Sequence, residues 1–149
     1  MNSRTRIILY TIASLICLAG LANATYLTVV ALTGEAAACG NVAGCLEVLG
    51  SPYARIAGIP IAAVGAVAYF AVFVCAVFAC FGYARARKFF GLIVWAMFVV
   101  TLWLLYLQAF KLHAFCRYCL FSAAIIFLLA GLVVVSPPAN SEAESNEEV

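Results

Sequence analysis

Four long apolar stretches dominate the 149-residue chain. In lipid, a single-chain stretch of this length must be helical, because lipid cannot hydrogen-bond to exposed backbone N–H and C=O groups. About 20 helical residues cross a hydrocarbon core about 30 Å thick. The sequence therefore predicts an all-α fold, a polytopic membrane protein built as a four-transmembrane-helix bundle. The stretches run from Ile7 to about Leu32, from about Ile59 to Phe81, from Phe89 to about Phe110 and from about Cys116 to Val135.

Composition agrees with a membrane protein and argues against other classes. Hydrophobic residues make up 68% of the chain and charged residues only 9%, whereas about 25% of a soluble domain is charged. The sequence contains no phosphate-binding loop, dinucleotide fingerprint or basic stripe for nucleic acid. We therefore expect a lipid bilayer around the protein and no nucleic-acid partner.

The N-terminal stretch has two interpretations. Arg4, Arg6 and the tripeptide Ala22-Asn23-Ala24 are typical of a signal peptide with its cleavage site. The apolar run nevertheless continues to Leu32, well beyond the apolar region of a signal peptide. We expect this stretch to be retained as the first transmembrane helix.

Basic residues are distributed unequally between the two sides that four helices define. The positive-inside rule assigns the richer side to the cytoplasm, which places the N-terminus, the link 83–88 and the C-terminal tail there. We expect a multi-pass protein of the cell inner (plasma) membrane with both termini cytoplasmic. The richer side holds five basic residues and the other side three: Arg4, Arg6, Arg85, Arg87 and Lys88, against Arg55, Lys111 and Arg117.

The chain divides into two predicted parts. Residues 1–135 are expected to form one transmembrane catalytic domain, with an outer loop over 34–58. Pro137-Pro138 ends the last helix, and four of the six acids follow it. Residues 136–149 are therefore predicted to be a disordered acidic cytoplasmic tail.

A short helical segment is predicted within the outer loop. Ser51 suits the N-cap of a helix, and Pro52 suits the first helical position. Gly58-Ile59-Pro60 then interrupts the run. We expect a half-helix over 52–57 that lies at the outer surface and covers the mouth of the bundle.

The seven cysteines fall into two groups. Cys17, Cys75 and Cys80 lie within apolar helices, where packing is the default role. The pair Cys39/Cys45 follows the first helix, and the pair Cys116/Cys119 opens the fourth. An even number of helices separates the two pairs, so both face the same side. With the orientation above, that side is the outer one, where disulfides form and persist.

The hexapeptide F-C-R-Y-C-L, residues 115–120, places the second pair at a helix start. Unpaired N–H groups and the positive end of the helix dipole stabilise a thiolate there, and Arg117 adds a full positive charge. A thiolate is the nucleophile in thiol–disulfide exchange. At the edge of the membrane it can also meet a reactant dissolved in the bilayer.

Two other interpretations of the cysteines compete with redox chemistry. A four-cysteine zinc site is one, but zinc requires reduced thiols on an oxidising side, so we expect no metal. Two structural disulfides in a transporter or scaffold are the other. A C-x-x-C disulfide closes too small a loop to stabilise a fold much, and such pairs are typically redox-active. We favour redox chemistry and keep the transporter or scaffold as the alternative.

The sequence C-G-N-V-A-G-C-L-E-V-L-G-S-P-Y-A-R-I-A-G-I-P, followed two helices later by L-H-A-F-C-R-Y-C-L, resembles the bacterial vitamin K epoxide reductase family. The resemblance covers nearly the whole chain. It implies a four-helix bundle around a membrane quinone of the menaquinone or ubiquinone type. It also implies that the outer loop and half-helix cover this quinone.

The resemblance implies an electron relay through the four cysteines. A reduced thioredoxin-like, DsbA-like protein attacks the Cys39–Cys45 disulfide at Cys45. Cys39 then attacks the Cys116–Cys119 disulfide at Cys116, and Cys119 delivers the electrons to quinone. Ser51 matches the half-helix serine of the family and is expected to shape the site. The net activity is that of a disulfide:quinone oxidoreductase that drives disulfide formation in exported proteins.

The sequence departs from its relatives in two respects. Many bacterial members carry a fused thioredoxin-like domain, whereas this chain ends at Val149, so we expect a separate partner protein. Animal members have a tyrosine four residues after the second C-x-x-C cysteine, where this chain has Ala123. That difference favours plain quinone over an epoxide. An alternative is a reductase that passes electrons outward. This direction requires a cytoplasmic donor, and among the cysteines only Cys80 and Cys17 approach that side.

Two sets of residues are weaker candidates for roles inside the bundle. The first set could hydrogen-bond a quinone carbonyl, although polar groups in membrane bundles more often bridge helices. It consists of Asn23, Tyr106, Gln108 and Tyr118. The other consists of small residues expected where helices pack closely: Ala24, Ala31, Gly65 and Ala68.

Overall fold

A computed structural model describes residues 3–33, 55–112 and 117–135. Four helices in this part of the chain are long and apolar enough to cross a membrane. The predicted all-α, polytopic four-helix fold is therefore confirmed. The elements are α1 (Ser3–Thr33), β1 (Arg55–Ile56), β2 (Ile59–Pro60), α2 (Ile61–Cys80), α3 (Ala84–Tyr106), a π-helical segment that continues α3 (Leu107–Leu112), and α4 (Arg117–Val135).

Two helices begin earlier than the apolar stretches predict. α1 starts at Ser3 and α3 at Ala84, so the basic residues at both positions belong to helices. Arginine and lysine are good helix formers, and a helix can extend beyond the hydrocarbon core without losing its backbone hydrogen bonds. The link between α2 and α3 is consequently residues 81–83 rather than 83–88.

This short link is a Schellman turn centred on Gly82. Gly82 has a φ of 96°, in the left-handed region that glycine adopts at low cost. Its N–H donates to the Ala79 carbonyl at 3.0 Å, and the Tyr83 N–H donates to the Phe78 carbonyl at 3.4 Å. The Phe78 and Tyr83 rings also meet edge to face, with centroids 5.8 Å apart. This is the hydrophobic contact that usually accompanies such a cap.

A short β-hairpin, with two residues in each strand, lies where the end of the half-helix was predicted. Arg55 pairs with Pro60 and Ile56 with Ile59 in antiparallel register. The turn residues Ala57 and Gly58 have φ values of 53° and 84°, which a tight hairpin turn requires. The prediction of helix through residue 57 is therefore wrong. Residues 51–54, including the start of the predicted half-helix, lie outside the described residues.

The described core is a continuous set of buried side chains at helical spacing on all four helices. Large apolar residues elsewhere on the helices are exposed, as lipid-facing surfaces are. Cys17 is fully buried in the core, and Cys75 and Cys80 are partly buried against it, as the packing interpretation predicts. The core residues are Tyr10, Ala13, Cys17 and Ala24 on α1; Tyr69, Val72, Ala76 and Ala79 on α2; Phe90 and Val94 on α3; and Ile125, Ile126, Leu129 and Ala130 on α4.

Contacts between helices define two ends of the bundle. At the arginine end, where α1 and α3 begin, the Arg6 guanidinium reaches the Gly82 turn, and the Tyr10 and Phe90 rings meet at 5.4 Å. At the cysteine end, where α1 ends and α4 begins, the Tyr26 and Tyr118 rings lie 5.3 Å apart. The chain thus leaves α1 and enters α4 at the same end of the bundle.

Gly20 permits a close approach of α1 to α2. A Cβ at position 20 would lie 2.7 Å from both Cδ1 and Cζ of Tyr69 and would also clash with Cε1. The Tyr69 ring therefore occupies the space that a side chain would fill. Small residues at helix crossings allow such packing in membranes, where lipid supplies no hydrophobic driving force between helices.

We expect Gly20→Ala to destabilise the protein by about 1–3 kcal/mol, the usual cost of overpacking a core. Gly131→Ala is the matched control, because no described atom beyond the local helix backbone lies within 4 Å of a Cβ at that position on α4. This control should be neutral or stabilising by about 0.5–1 kcal/mol, since alanine is the better helix former. Thermal unfolding of both variants in detergent measures the difference. Equal stability of the two variants would contradict the close contact.

Candidate functional site

A cavity of about 500 Å³ lies between the four helices. Ligand sites typically occupy about 300–1,000 Å³ and are mostly apolar with a few polar groups, and this cavity has both properties. All four helices contribute to its wall. The lining residues are Ala24, Leu27, Ile61, Ala62, Val64, Gly65, Ala68, Tyr69, Leu92, Ile93, Ala96, Met97, Val100, Thr101, Leu104, Leu105, Leu107, Gln108, Cys119, Ser122, Ala123 and Ile126.

Small residues on the inner helix faces create the cavity. Ala24, Gly65 and Ala68 line it, although the sequence predicted close packing at these positions. Among the described residues, no atom beyond the local helix backbone lies within 4 Å of where a Cβ of Gly65 would stand, so Gly65 does not make the close contact that was predicted there. The bundle closes tightly at Gly20 instead, and the missing side-chain volume further along the helices leaves space for a ligand.

Cys119 is the predicted redox residue that the structure places at the cavity. It lies in the first turn of α4, and its side chain is partly buried in the wall. A thiol here can therefore contact a molecule held between the helices. The other predicted site residues, Cys39, Cys45, Ser51 and Cys116, lie outside the described residues.

Side chains of two other helices hydrogen-bond to the start of α4. From α1, Asn23 Nδ2 donates to the Tyr118 carbonyl at 3.1 Å. From α2, the Tyr69 hydroxyl lies 2.8 Å from Ser122 Oγ and 3.3 Å from the Ser122 carbonyl oxygen. Tyr118 and Ser122 flank Cys119 in sequence. The position of Cys119 relative to the cavity is therefore fixed from two sides.

Of the four predicted quinone ligands, Gln108 alone lines the cavity. Its side chain is buried, with 3% of its surface exposed. Asn23 instead bridges α1 and α4, and the Tyr118 ring contacts Tyr26. Tyr106 is 47% exposed and stacks on Trp103.

Gln108 belongs to the π-helical segment. Leu107 and Gln108 are consecutive, yet both are buried and both line the cavity. A π-helix adds a residue to the turn, and such segments are frequent at functional sites. Consecutive wall residues also occur in the α-helical part of α3, so the π-helical segment continues the wall that α3 presents to the cavity.

Three polar wall residues were not identified from the sequence: Tyr69, Thr101 and Ser122. Ser122 had a usable signal, because it follows Cys119 by three residues and so shares its helix face. Tyr69 and Thr101 lie on other helices. Only the packing of α2 and α3 against α4 brings them to the site.

We expect Asn23→Ala to loosen the start of α4. Loss of one interhelical hydrogen bond should cost about 0.5–1.5 kcal/mol and accelerate amide hydrogen exchange around residues 118–122. Thr25→Ala is the matched control, because Thr25 Oγ1 bonds only locally, to the Leu21 carbonyl at 2.8 Å. Unchanged exchange in Asn23→Ala, measured by mass spectrometry, would show that this bond does not position α4.

Four helices long enough to cross a membrane, with a cysteine on the wall of an apolar cavity between them, suit a membrane thiol oxidoreductase. The model of the vitamin K epoxide reductase family matches residues 11–134, and the chain belongs to this family. The resemblance seen in the sequence is thereby confirmed. Proteins of the family use quinones in general. No individual curated protein matches the sequence significantly.

Proposed function

We propose that the protein is a disulfide:quinone oxidoreductase. It takes electrons from a separate, reduced thioredoxin-like (DsbA-like) protein and passes them through Cys39/Cys45 and Cys116/Cys119 to a membrane quinone of the menaquinone or ubiquinone type. The net effect is disulfide formation in exported proteins. The single observation that carries the proposal is the position of Cys119 on the wall of a cavity of about 500 Å³, in a chain whose family uses quinones.

The first two steps are thiol–disulfide exchanges. A thiolate of the partner attacks Cys45, forms a mixed disulfide and releases Cys39 as a thiolate. The second partner thiol resolves this bond, so that the partner leaves oxidised and Cys39 and Cys45 are reduced. Cys39 then attacks Cys116, and Cys45 resolves that mixed disulfide, which leaves Cys116 and Cys119 reduced. Each step exchanges one S–S bond for another.

The last step restores the Cys116–Cys119 disulfide. The two thiols together lose two electrons and two protons when the S–S bond forms. A bound quinone supplies a two-electron, two-proton acceptor. The apolar wall holds the ring and excludes water, and Asn23 and Tyr69 keep the start of α4 in place. We assign Ser51, outside the described residues, a role in shaping the site.

The orientation of the chain follows from its charges. The arginine end carries Arg4, Arg6, Arg85, Arg87 and Lys88, and we assign it to the cytoplasm. The cysteine end then faces the periplasmic or extracellular side of the inner (plasma) membrane, where the partner delivers its electrons. Net flow requires a quinone more oxidising than the partner, and a difference of about 30 mV corresponds to about 1.4 kcal/mol for two electrons.

We expect Cys45→Ser to accumulate a Cys39–Cys116 crosslink. Without Cys45, the thiol that carries the relay forward from the Cys39–Cys116 mixed disulfide is missing, and this bond is broken within the protein by the return attack of Cys119. Non-reducing mass spectrometry of the purified variant identifies the crosslinked peptides, and Cys80→Ser serves as the control. A complete absence of the crosslink at every redox poise would favour the alternative, a transporter or scaffold with two structural disulfides.

We expect the oxidised protein to reduce a quinone only when a reduced thioredoxin-like donor is present. Under anaerobic conditions, the ultraviolet absorbance of the quinone reports the reaction. Cys119→Ser should lower the rate to background, because no disulfide can then form with Cys116. Cys75→Ser, a change at a partly buried cysteine in α2, should retain the rate. Quinone-independent thiol oxidation in all variants would refute the proposed function.

A further inference from the structure

We propose that the Tyr69–Ser122 hydroxyl pair recognises a carbonyl oxygen of the bound quinone and stabilises the negative charge that develops there. This inference rests on the proposed function, because it assigns the quinone to the cavity beside Cys119. It adds the groups that select a quinone over an apolar ring of the same shape.

The two hydroxyls are placed close to the redox cysteine. Tyr69 and Ser122 line the same cavity as Cys119. Ser122 follows Cys119 by three residues, which corresponds to the same helix face and an advance of about 4.5 Å along the axis. A ring in contact with the thiol of Cys119 therefore has the hydroxyl pair about one helical turn further into the bundle.

The two hydroxyls have two protons between them, and one of these is available for a ligand. Each hydroxyl carries one proton, and the bond of 2.8 Å between them uses one of the two. When Ser122 is the donor of that bond, the Tyr69 proton has the Ser122 carbonyl oxygen 3.3 Å away as an acceptor. That distance exceeds the usual 2.5–3.0 Å of an O–H···O bond, and a helix carbonyl already accepts the N–H four residues ahead. This proton is therefore weakly held and can turn to a quinone oxygen.

A hydroxyl that donates a hydrogen bond matters in this cavity because of the residues around it. The wall residues that the structure describes include no carboxylate, imidazole, lysine or arginine. Tyr69 is 1% exposed, so water does not replace its hydrogen bonds. Charge that develops on a carbonyl oxygen in such a site depends on fixed neutral donors, and these act strongly where the dielectric constant is low. A chain of two hydroxyls is also a better donor than either alone.

The competing role is purely structural, with Tyr69 only bridging α2 and α4. The two roles differ in what the variants lose. Removal of a structural bridge weakens the binding of every ligand that fills the cavity. Removal of a carbonyl donor weakens only ligands that have a carbonyl. A pair of ligands with the same ring system and different polar groups therefore separates the two roles.

The test measures dissociation constants of 2-methyl-1,4-naphthoquinone and 2-methylnaphthalene for the detergent-solubilised full chain, from ligand-induced shifts in thermal unfolding. Tyr69→Phe and Ser122→Ala should each weaken quinone binding about tenfold, the usual effect of one hydrogen bond, and change naphthalene binding less than about twofold. Ser122→Thr keeps a hydroxyl and should restore quinone binding. Ser14→Ala is the matched control, since the Ser14 hydroxyl donates to the Tyr10 carbonyl at 2.8 Å and is not among the described wall residues of the cavity; this variant should leave the preference for quinone unchanged.

Three outcomes would overturn the inference. Equal losses for both ligands would assign the pair a structural role, and unchanged quinone binding in both variants would remove its role altogether. If the wild-type protein shows no saturable quinone binding, the proposed function fails as well. If the wild-type protein binds quinone and both variants bind it equally well, this inference fails while the proposed function stands.

Discussion

The bilayer offers backbone groups no hydrogen-bonding partner, and the rest of the structure depends on this constraint. Each of the four spans must satisfy its own N–H and C=O groups, so each is a helix. Because lipid is as apolar as the helix surfaces, hydrophobicity does not hold the helices together. Close packing and a few polar contacts must do so. The ring of Tyr69 against Gly20 is the clearest described example.

Tyr69 also connects packing to the functional site. Its ring fills the space beside Gly20 on α1, and its hydroxyl reaches Ser122 on α4. Asn23 holds the preceding turn of α4 through the Tyr118 carbonyl. Cys119 lies between these two attachment points. The helix that carries Cys119 is thus fixed by the same residues that set the distances between helices, while the small residues elsewhere leave the cavity open.

The properties of individual residues explain which predictions of the fold were right and which were wrong. The apolar stretches predicted all four spans, because their length alone requires helices. The helix starts were misplaced, since Arg4 and Arg85 favour helix although they are not apolar. The half-helix prediction relied on Ser51 and Pro52, but Ala57 and Gly58 adopt positive φ values and close a hairpin. A turn residue other than glycine or asparagine gives little warning of such a conformation.

The sequence by itself determined the membrane class, the number of helices and the resemblance to a family, because length, composition and motif spacing are properties of the linear chain. Only the tertiary structure decided that Gln108, Tyr69 and Ser122 line the cavity while Asn23 and Tyr118 bridge helices. The physical reason is that membrane helices are apolar on every side. Hydrophobic periodicity, which reveals the buried face of a soluble helix, therefore carries little information about which face turns inward.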